Sequence, residues 1–217
     1  MWDNSDKDGY INNTISNLGQ ICNDSFSKEI EKYASNLNNK TFLEIGTWNG
    51  LGSTKAFENG FKTRNDNYIF YSLECNKDKS NDASKLYSNN NKINILNEVI
   101  WNEEPDDFYK IFPELKNNEL YNHWNNIDII NMKNCNLFLN RQNLPDIFDV
   151  ILLDGGEFTT YYDFQNIKNR CKILMLDDTE TNKCKLIVKE LISDSKWKII
   201  KQVNERNGYL IAENLLL

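Results

Sequence analysis

Residues 41–53 read TFLEIGTWNGLGS, and this stretch decides the fold. Residues 41–46 form a short apolar run ending at a glycine, the pattern of a strand buried in a parallel sheet. Residues 51–59 continue as a helix that Gly60 is expected to close. Glycines between the two let the chain turn sharply and let a ligand approach the backbone. The free N–H groups of the following helix point at that turn. The spacing is Glu-x-Gly-x-x-x-Gly-x-Gly, from Glu44 through Gly46 and Gly50 to Gly52. The dinucleotide fingerprint is Gly-x-Gly-x-x-Gly. Started at Gly50, it would need a glycine where Lys55 stands, so it fails. An acid two residues before the first glycine suits a ligand with a cationic amine, not a pyrophosphate. A ligand-free tight turn is the competing reading.

Upstream, Phe26, Ile30, Tyr33 and Leu37 recur at helical spacing over 24–37, with Asp24 or Ser25 as cap. Residues 1–23 are polar and turn-rich and read as a loose arm. Downstream, strands are expected at 68–74, 93–100, 148–156 and 172–178, with helices at 77–88, 160–170 and 183–193. In the last helix Leu186, Val188, Leu191 and Ile192 offer a buried side. Residues 196–203 and 209–214 read as paired strands joined through Asn207-Gly208, a hairpin signal. Residues 101–146 are different: Asn-rich, weakly periodic and longer than an ordinary loop, with a helical hint at 108–112. They read as an insertion. One helix, repeated strand–helix units and a closing hairpin predict a single α/β domain over 1–217. The expected architecture is Rossmann-like and doubly wound, a mostly parallel seven-stranded sheet with a C-terminal antiparallel β-hairpin. Ligands of such sheets sit outside the carboxyl ends of the strands.

The chain of 217 residues carries a formal net charge of −7, and no stretch is dense in Lys or Arg. Nucleic acid is therefore a poor substrate for it, and a small molecule suits it better. Its five cysteines are irregularly spaced without a Cys-x-x-Cys, as expected of reduced thiols in a cytoplasmic protein. No apolar run approaches 18 residues and no signal-peptide pattern opens the chain, so neither a membrane span nor secretion is expected. The polar arm is compatible with a homo-oligomer.

Carboxylates end several strands. Glu74 closes the second, where it can accept both ribose hydroxyls of an adenosine. With the glycine-rich turn it describes a nucleoside site. Asp154-Gly155-Gly156-Glu157 follows the fourth strand and Asp177-Asp178-Thr179 the fifth. Asp154, Asp177 and Asp178 converge at one edge, which is costly unless a cation sits there or a proton is shared. Mg²⁺, with oxygen ligands and retained waters, fits such a set. The bland alternative makes Asp178 a turn cap and Asp177 a strand end.

These residues carry a resemblance. FLEIGTWNGLGS resembles motif I of class I S-adenosylmethionine (SAM)-dependent methyltransferases, and YSLE their second motif. FDVILLDGGEFTTYYDF followed by ILMLDDT resembles the macrocin O-methyltransferase subgroup, which modifies sugars on natural products. The likeness covers roughly 41–100 and 147–213. It implies SAM held by Glu44, Gly46, Thr47, Trp48, Gly50, Ser53, Glu74 and Asp154, and Mg²⁺ held by Asp154, Asp177 and Asp178. The chain departs at one point: related sequences often read DGDH where this one reads DGGE. Glu157 stands where a histidine base would, so Asp154 and Glu157 are the expected catalytic pair. His123, the only histidine, is the second candidate base.

The implied reaction is O-methylation of a small-molecule acceptor, a sugar or nucleotide-sugar by resemblance. Metal would orient two neighbouring hydroxyls. The insertion, with Trp101, Tyr109, Tyr121 and Trp124, would line the acceptor pocket or form local core. Tyr161-Tyr162 is expected to pack. Competing functions are a metal-independent methyltransferase, a non-catalytic SAM-binding module and a nicotinamide-dependent oxidoreductase, against which the failed fingerprint weighs.

Overall fold

The computed structural model describes residues 21–105 and 108–217. Most of the expected arm, 1–20, lies outside them. Of its described residues Ile21 is buried in the core; beyond the arm, Asp24 caps the first helix, α1 (Ser25–Ser35), as expected, by accepting the Ser27 N–H at 2.7 Å.

Seven strands form one sheet in the spatial order β3-β2-β1-β6-β7-β9-β8. They are β1 (Thr41–Ile45), β2 (Ile69–Leu73), β3 (Ile93–Leu96), β6 (Phe148–Leu153), β7 (Cys171–Asp177), β8 (Trp197–Val203) and β9 (Tyr209–Asn214). Pairing is parallel from β3 to β7. β9 enters antiparallel between β7 and β8, so the expected fold class stands. Buried strands must serve two faces, and they do so by alternation. Phe42, Val150, Leu152 and Met175 face α1, α2 (Ser53–Phe61) and α3 (Lys77–Tyr87), while Leu43, Ile151, Leu153 and Leu174 face α6 (Thr160–Ile167) and α7 (Asn182–Ser193).

Three helix expectations need correction. Gly60 lies inside α2 and does not close it. A Cβ there would meet the Glu31 carbonyl oxygen at 2.5 Å and Ala34 Cβ at 2.6 Å, so this glycine permits the close crossing of α1 and α2. The buried face of α7 is Lys183, Cys184, Ile187 and Leu191, whereas Ile192 is 64% exposed. Leu37 lies beyond the end of α1 and is also exposed.

Residues 98–137 leave the main sheet. β4 (Glu98–Val99) and β5 (Asn136–Leu137) pair in parallel as a separate two-stranded ladder. Between them lie α4 (Phe108–Ile111) and α5 (Glu119–Lys133). α5 is a 15-residue helix in a region whose sequence is weakly periodic. Asn118 starts it by accepting the N–H groups of Leu120 and Tyr121. Tyr121 and Trp124 of this helix, with Tyr109 of α4, pack locally against Phe108, Phe112, Leu115 and Phe158. Among the described residues no helix is long and apolar enough to cross a membrane.

Candidate functional site

Strand register places the site. Ile45 pairs with Leu73 on one side and Leu153 on the other, and Leu153 pairs with Leu176. The next residue of each strand therefore emerges along a single edge: Glu74, Gly46, Asp154 and Asp177. Gly46 has φ +102, and a Cβ there would land on the Asp154 carbonyl. Only glycine lets these two strand ends pass so closely. The Gly46 and Thr47 N–H groups both bond the Leu73 carbonyl, at 3.0 and 3.1 Å.

On the β1/β2 side, neutral donors hold the carboxylates. Glu74 is buried and accepts the backbone N–H groups of Trp48 at 2.7 Å and Asn76 at 2.8 Å. Trp48 adopts φ +49, a conformation uncommon for a bulky residue, and this aims its N–H at Glu74. Burial still pushes the Glu74 carboxyl above its ordinary range, against those two hydrogen bonds. Glu44 is fully buried. Its Oε2 takes the hydroxyls of Thr54, at 2.6 Å, and Ser72, while its Oε1 has no hydrogen-bond partner among the described residues. Burial lifts Glu44 to about 7, opposed by the hydroxyls of Ser53, Ser72 and Thr54.

The side chains of some expected cofactor residues are engaged within the frame. The Thr47 hydroxyl is spent on Ser72 at 2.5 Å. Ser53 is buried beside Glu44. Gly50 has φ +77, and a Cβ there would meet the Tyr87 ring at 3.0 Å and Ala83 Cβ at 3.1 Å, so this glycine admits the close approach of α3. Trp48 alone of this turn is substantially exposed, with Lys79 over its ring at 4.9 Å.

On the β6/β7 side, cations hold the carboxylates. Asp154, Asp177 and Asp178 each bring an oxygen within 4.8 Å of the others, so the expected convergence is present. Its cation is Lys183, in the first turn of α7, with Nζ 2.9 Å from Asp154 Oδ1 and 2.5 Å from Asp178 Oδ2. Asp178 Oδ1 takes the Asn207 amide at 3.1 Å. Both oxygens of Asp177 are bonded by Arg206, at 2.9 and 3.2 Å. Arg206 sits at φ +57 in the β8–β9 connection and also bonds Asp24. Burial raises Asp154 and Asp177 and the neighbouring aspartates add to it. In Asp178 the Lys183 ammonium overrides burial and holds the carboxyl low. Desolvation pulls Lys183 down, but Asp154 and Asp178 override it, so the amine stays charged.

Mg²⁺ does not fit this donor set as it stands. Five oxygens of the three carboxylates already take hydrogen bonds from protein donors, namely both of Asp177, both of Asp178 and Oδ1 of Asp154. A divalent ion would have to evict Lys183.

Between the two sides lie carboxylates from other elements. Glu157 meets the Tyr121 hydroxyl at 3.5 Å and the Lys183 backbone N–H. Asp128 of α5 approaches Gly156 so closely that a Cβ there would stand 2.7 Å from its Oδ2. Burial, with Glu74 and Glu157 nearby, lifts Asp128 to about 7. Asp163 in α6 is buried beside Gly155 and lifted to about 8 by desolvation. His123 is exposed on α5 and joins none of this. Tyr162 stacks on Trp101 with centroids 4.3 Å apart, so the expected packing of that residue is present.

No protein-family model matches the chain, and no curated protein does. Solved structures do. The chain is similar to an O-methyltransferase from Bacillus cereus in complex with S-adenosylhomocysteine (SAH): TM-score 0.57 and 12% identity over 91% of this chain and 84% of that one. The SAH-bound methyltransferase PaMTH1 of Podospora anserina matches with TM-score 0.57 and 12% identity, over 87% and 77% of the two chains. The O-methyltransferase TomG of Streptomyces achromogenes, in complex with SAM, matches with TM-score 0.52 and 12% identity, over 87% and 78%. The fold is that of SAM-dependent methyltransferases. At such identities the likeness carries the fold alone, and the chemistry must be argued from the site.

Lys183, Arg206, Asp128 and Asp163 escaped the sequence reading. Lys183 had a signal: it shares helical spacing with Ile187 and Leu191, which puts a lysine on a core-facing stripe. Arg206 had only its place beside a turn dipeptide.

Proposed function

We propose that this chain is a SAM-dependent O-methyltransferase acting on a hydroxyl of a small molecule, with a sugar or glycan end as the leading acceptor class. One observation carries the reading. Two carboxylates, Glu44 and Glu74, flank the Gly46 turn at the carboxyl edge of the sheet. One has an unpartnered buried oxygen, and the other is oriented by two backbone N–H groups. An orphaned carboxylate oxygen suits the cationic amino group of SAM, directly or through water. Glu74 retains lone pairs for the ribose hydroxyls. The cofactor supplies a methyl group on a sulfonium, a good leaving group. The protein's part is alignment of an acceptor oxygen and removal of its proton. Glu157, bonded to the Tyr121 hydroxyl and the Lys183 backbone N–H, is the residue proposed to receive that proton. Magnesium has no step in this proposal.

Calorimetric titration with SAM tests it. Wild type is expected to bind, and Glu74→Ala is expected to lose most of the affinity. Folded wild-type protein that takes up no SAM would end the reading.

A further inference from the structure

We propose that Lys183 is the built-in cation of this site, standing where a divalent metal would and able to take one acceptor oxygen rather than chelate two. The acceptor part rests on the methyltransferase reading; the cation part rests on side-chain geometry alone.

Three facts support it. Lys183 is 5% exposed and lies on the buried stripe of α7, so its ammonium is confined to the cluster it neutralises. It also sits in the first helical turn, where the helix dipole disfavours a cation. Its position is therefore upheld by Asp154 and Asp178 and not by the helix. Finally, the other oxygens of Asp177 and Asp178 are committed to Arg206 and Asn207, so the oxygens a metal could take are the ones Lys183 holds, on Asp154 and Asp178.

The consequence for substrate follows from donor number. An ammonium has three N–H bonds. Two are directed at Asp154 and Asp178, so one remains for a ligand oxygen on the Asp154 side, where that side chain is 24% exposed. A divalent ion takes several oxygens and can hold a vicinal pair; this ammonium can hold one. The acceptor is thus selected for a single reacting hydroxyl. In the step itself that oxygen forms a bond to the methyl carbon, the carbon–sulfur bond breaks with its electrons going to sulfur, and the hydroxyl proton passes to Glu157.

The test uses Mn²⁺ as an electron paramagnetic resonance probe on the full chain, wild type, Lys183→Ala and Lys183→Arg, with SAM calorimetry on each preparation. Wild type and Lys183→Arg are expected to leave the Mn²⁺ signal that of the free ion. Lys183→Ala is expected to gain a site at least about tenfold tighter, the scale on which one neighbouring residue alters metal affinity. Mn²⁺ held by wild type as tightly as by Lys183→Ala overturns the proposal, and so does folded Lys183→Ala that gains no site. If Lys183→Ala does not fold, wild type decides alone: a bound Mn²⁺ refutes, a free one supports. Loss of turnover by about tenfold or more when wild type is treated with a chelator also refutes it. Failure of wild type to bind SAM would sink the methyltransferase reading while leaving the Mn²⁺ result to stand on its own.

Discussion

The two halves of the strand-end edge hold carboxylates in opposite ways. At β1 and β2, Glu44 and Glu74 are held by hydroxyls and backbone N–H groups, which orient a carboxylate without cancelling its charge. At β6 and β7, Asp154, Asp177 and Asp178 are held by Lys183 and Arg206, which largely cancel theirs. Among the described residues the first half bonds its carboxyls to no cation, which leaves a cationic ligand to fill that role. The second already sets two cations against its three carboxylates before any ligand arrives. The lesson is that an acidic cluster read from strand ends is half a description, because the partner of each acid decides what it can bind.

The largest break in this comparison is expected at the seam between the halves. Gly46→Ala would force a Cβ onto the Asp154 carbonyl at a positive φ. Overpacking and backbone strain together should cost about 4 kcal/mol. Gly50→Ala, facing side chains at 3.0–3.1 Å, should cost about half as much by the same terms. Thermal unfolding of both checks this, and equal losses would show that the seam is not special.

Next comes Lys183→Met, which leaves Asp154 and Asp178 facing one another without their cation. Removing one partner of a buried pair costs about 3 kcal/mol. Denaturant unfolding at pH 7 reads it, and a loss below about 1 kcal/mol, the scale of a surface pair, would mean the cluster is solvated.

Glu44 sharpens the contrast through pH. Its carboxyl is lifted to about 7 by burial, above its unfolded value of about 4.3. The folded state therefore binds the extra proton in that window. The stability from protonated Glu44 is fully present below the unfolded value and is lost as pH rises through about 7. Relative to Glu44→Gln, wild type should lose up to about 3 kcal/mol between pH 4.5 and 7.5. A melting-temperature difference that stays flat across this range would contradict it.

Glu74→Gln is a gentler probe. It removes the charge while keeping an acceptor, at a loss of about 2 kcal/mol in SAM binding, roughly thirtyfold. Calorimetry at pH 7 measures it, and unchanged affinity would remove Glu74 from the cofactor site. The smallest effect is expected at His123, which is exposed on α5. His123→Ala should stay within about 0.5 kcal/mol in stability and leave SAM binding alone. A clear loss of turnover would revive it as the base.

Much of the architecture was legible because its determinants are local. TFLEI and FDVILL are buried strands by their apolar runs. Gly46 marks a turn, and strands in parallel register end together, so Glu44, Gly46, Glu74, Asp154 and Asp177 could be placed on one edge from spacing alone. Less legible was α5, because its helix depends on an Asn118 cap and on packing around Phe158 rather than on a strong apolar stripe. Gly60 was misread because its reason lies in another helix, at Glu31 and Ala34.

By itself, then, the sequence determined the order of elements, the mostly parallel sheet and the acids at its edge. These follow from apolar periodicity and glycine, which act over a few residues. Only the tertiary structure decided what stands opposite those acids. Lys183 reaches Asp154 across 29 positions of chain, and Arg206 reaches Asp177 across the same span. Charge pairing is a property of distance in space, and no local pattern encodes which distant side chain will fill it.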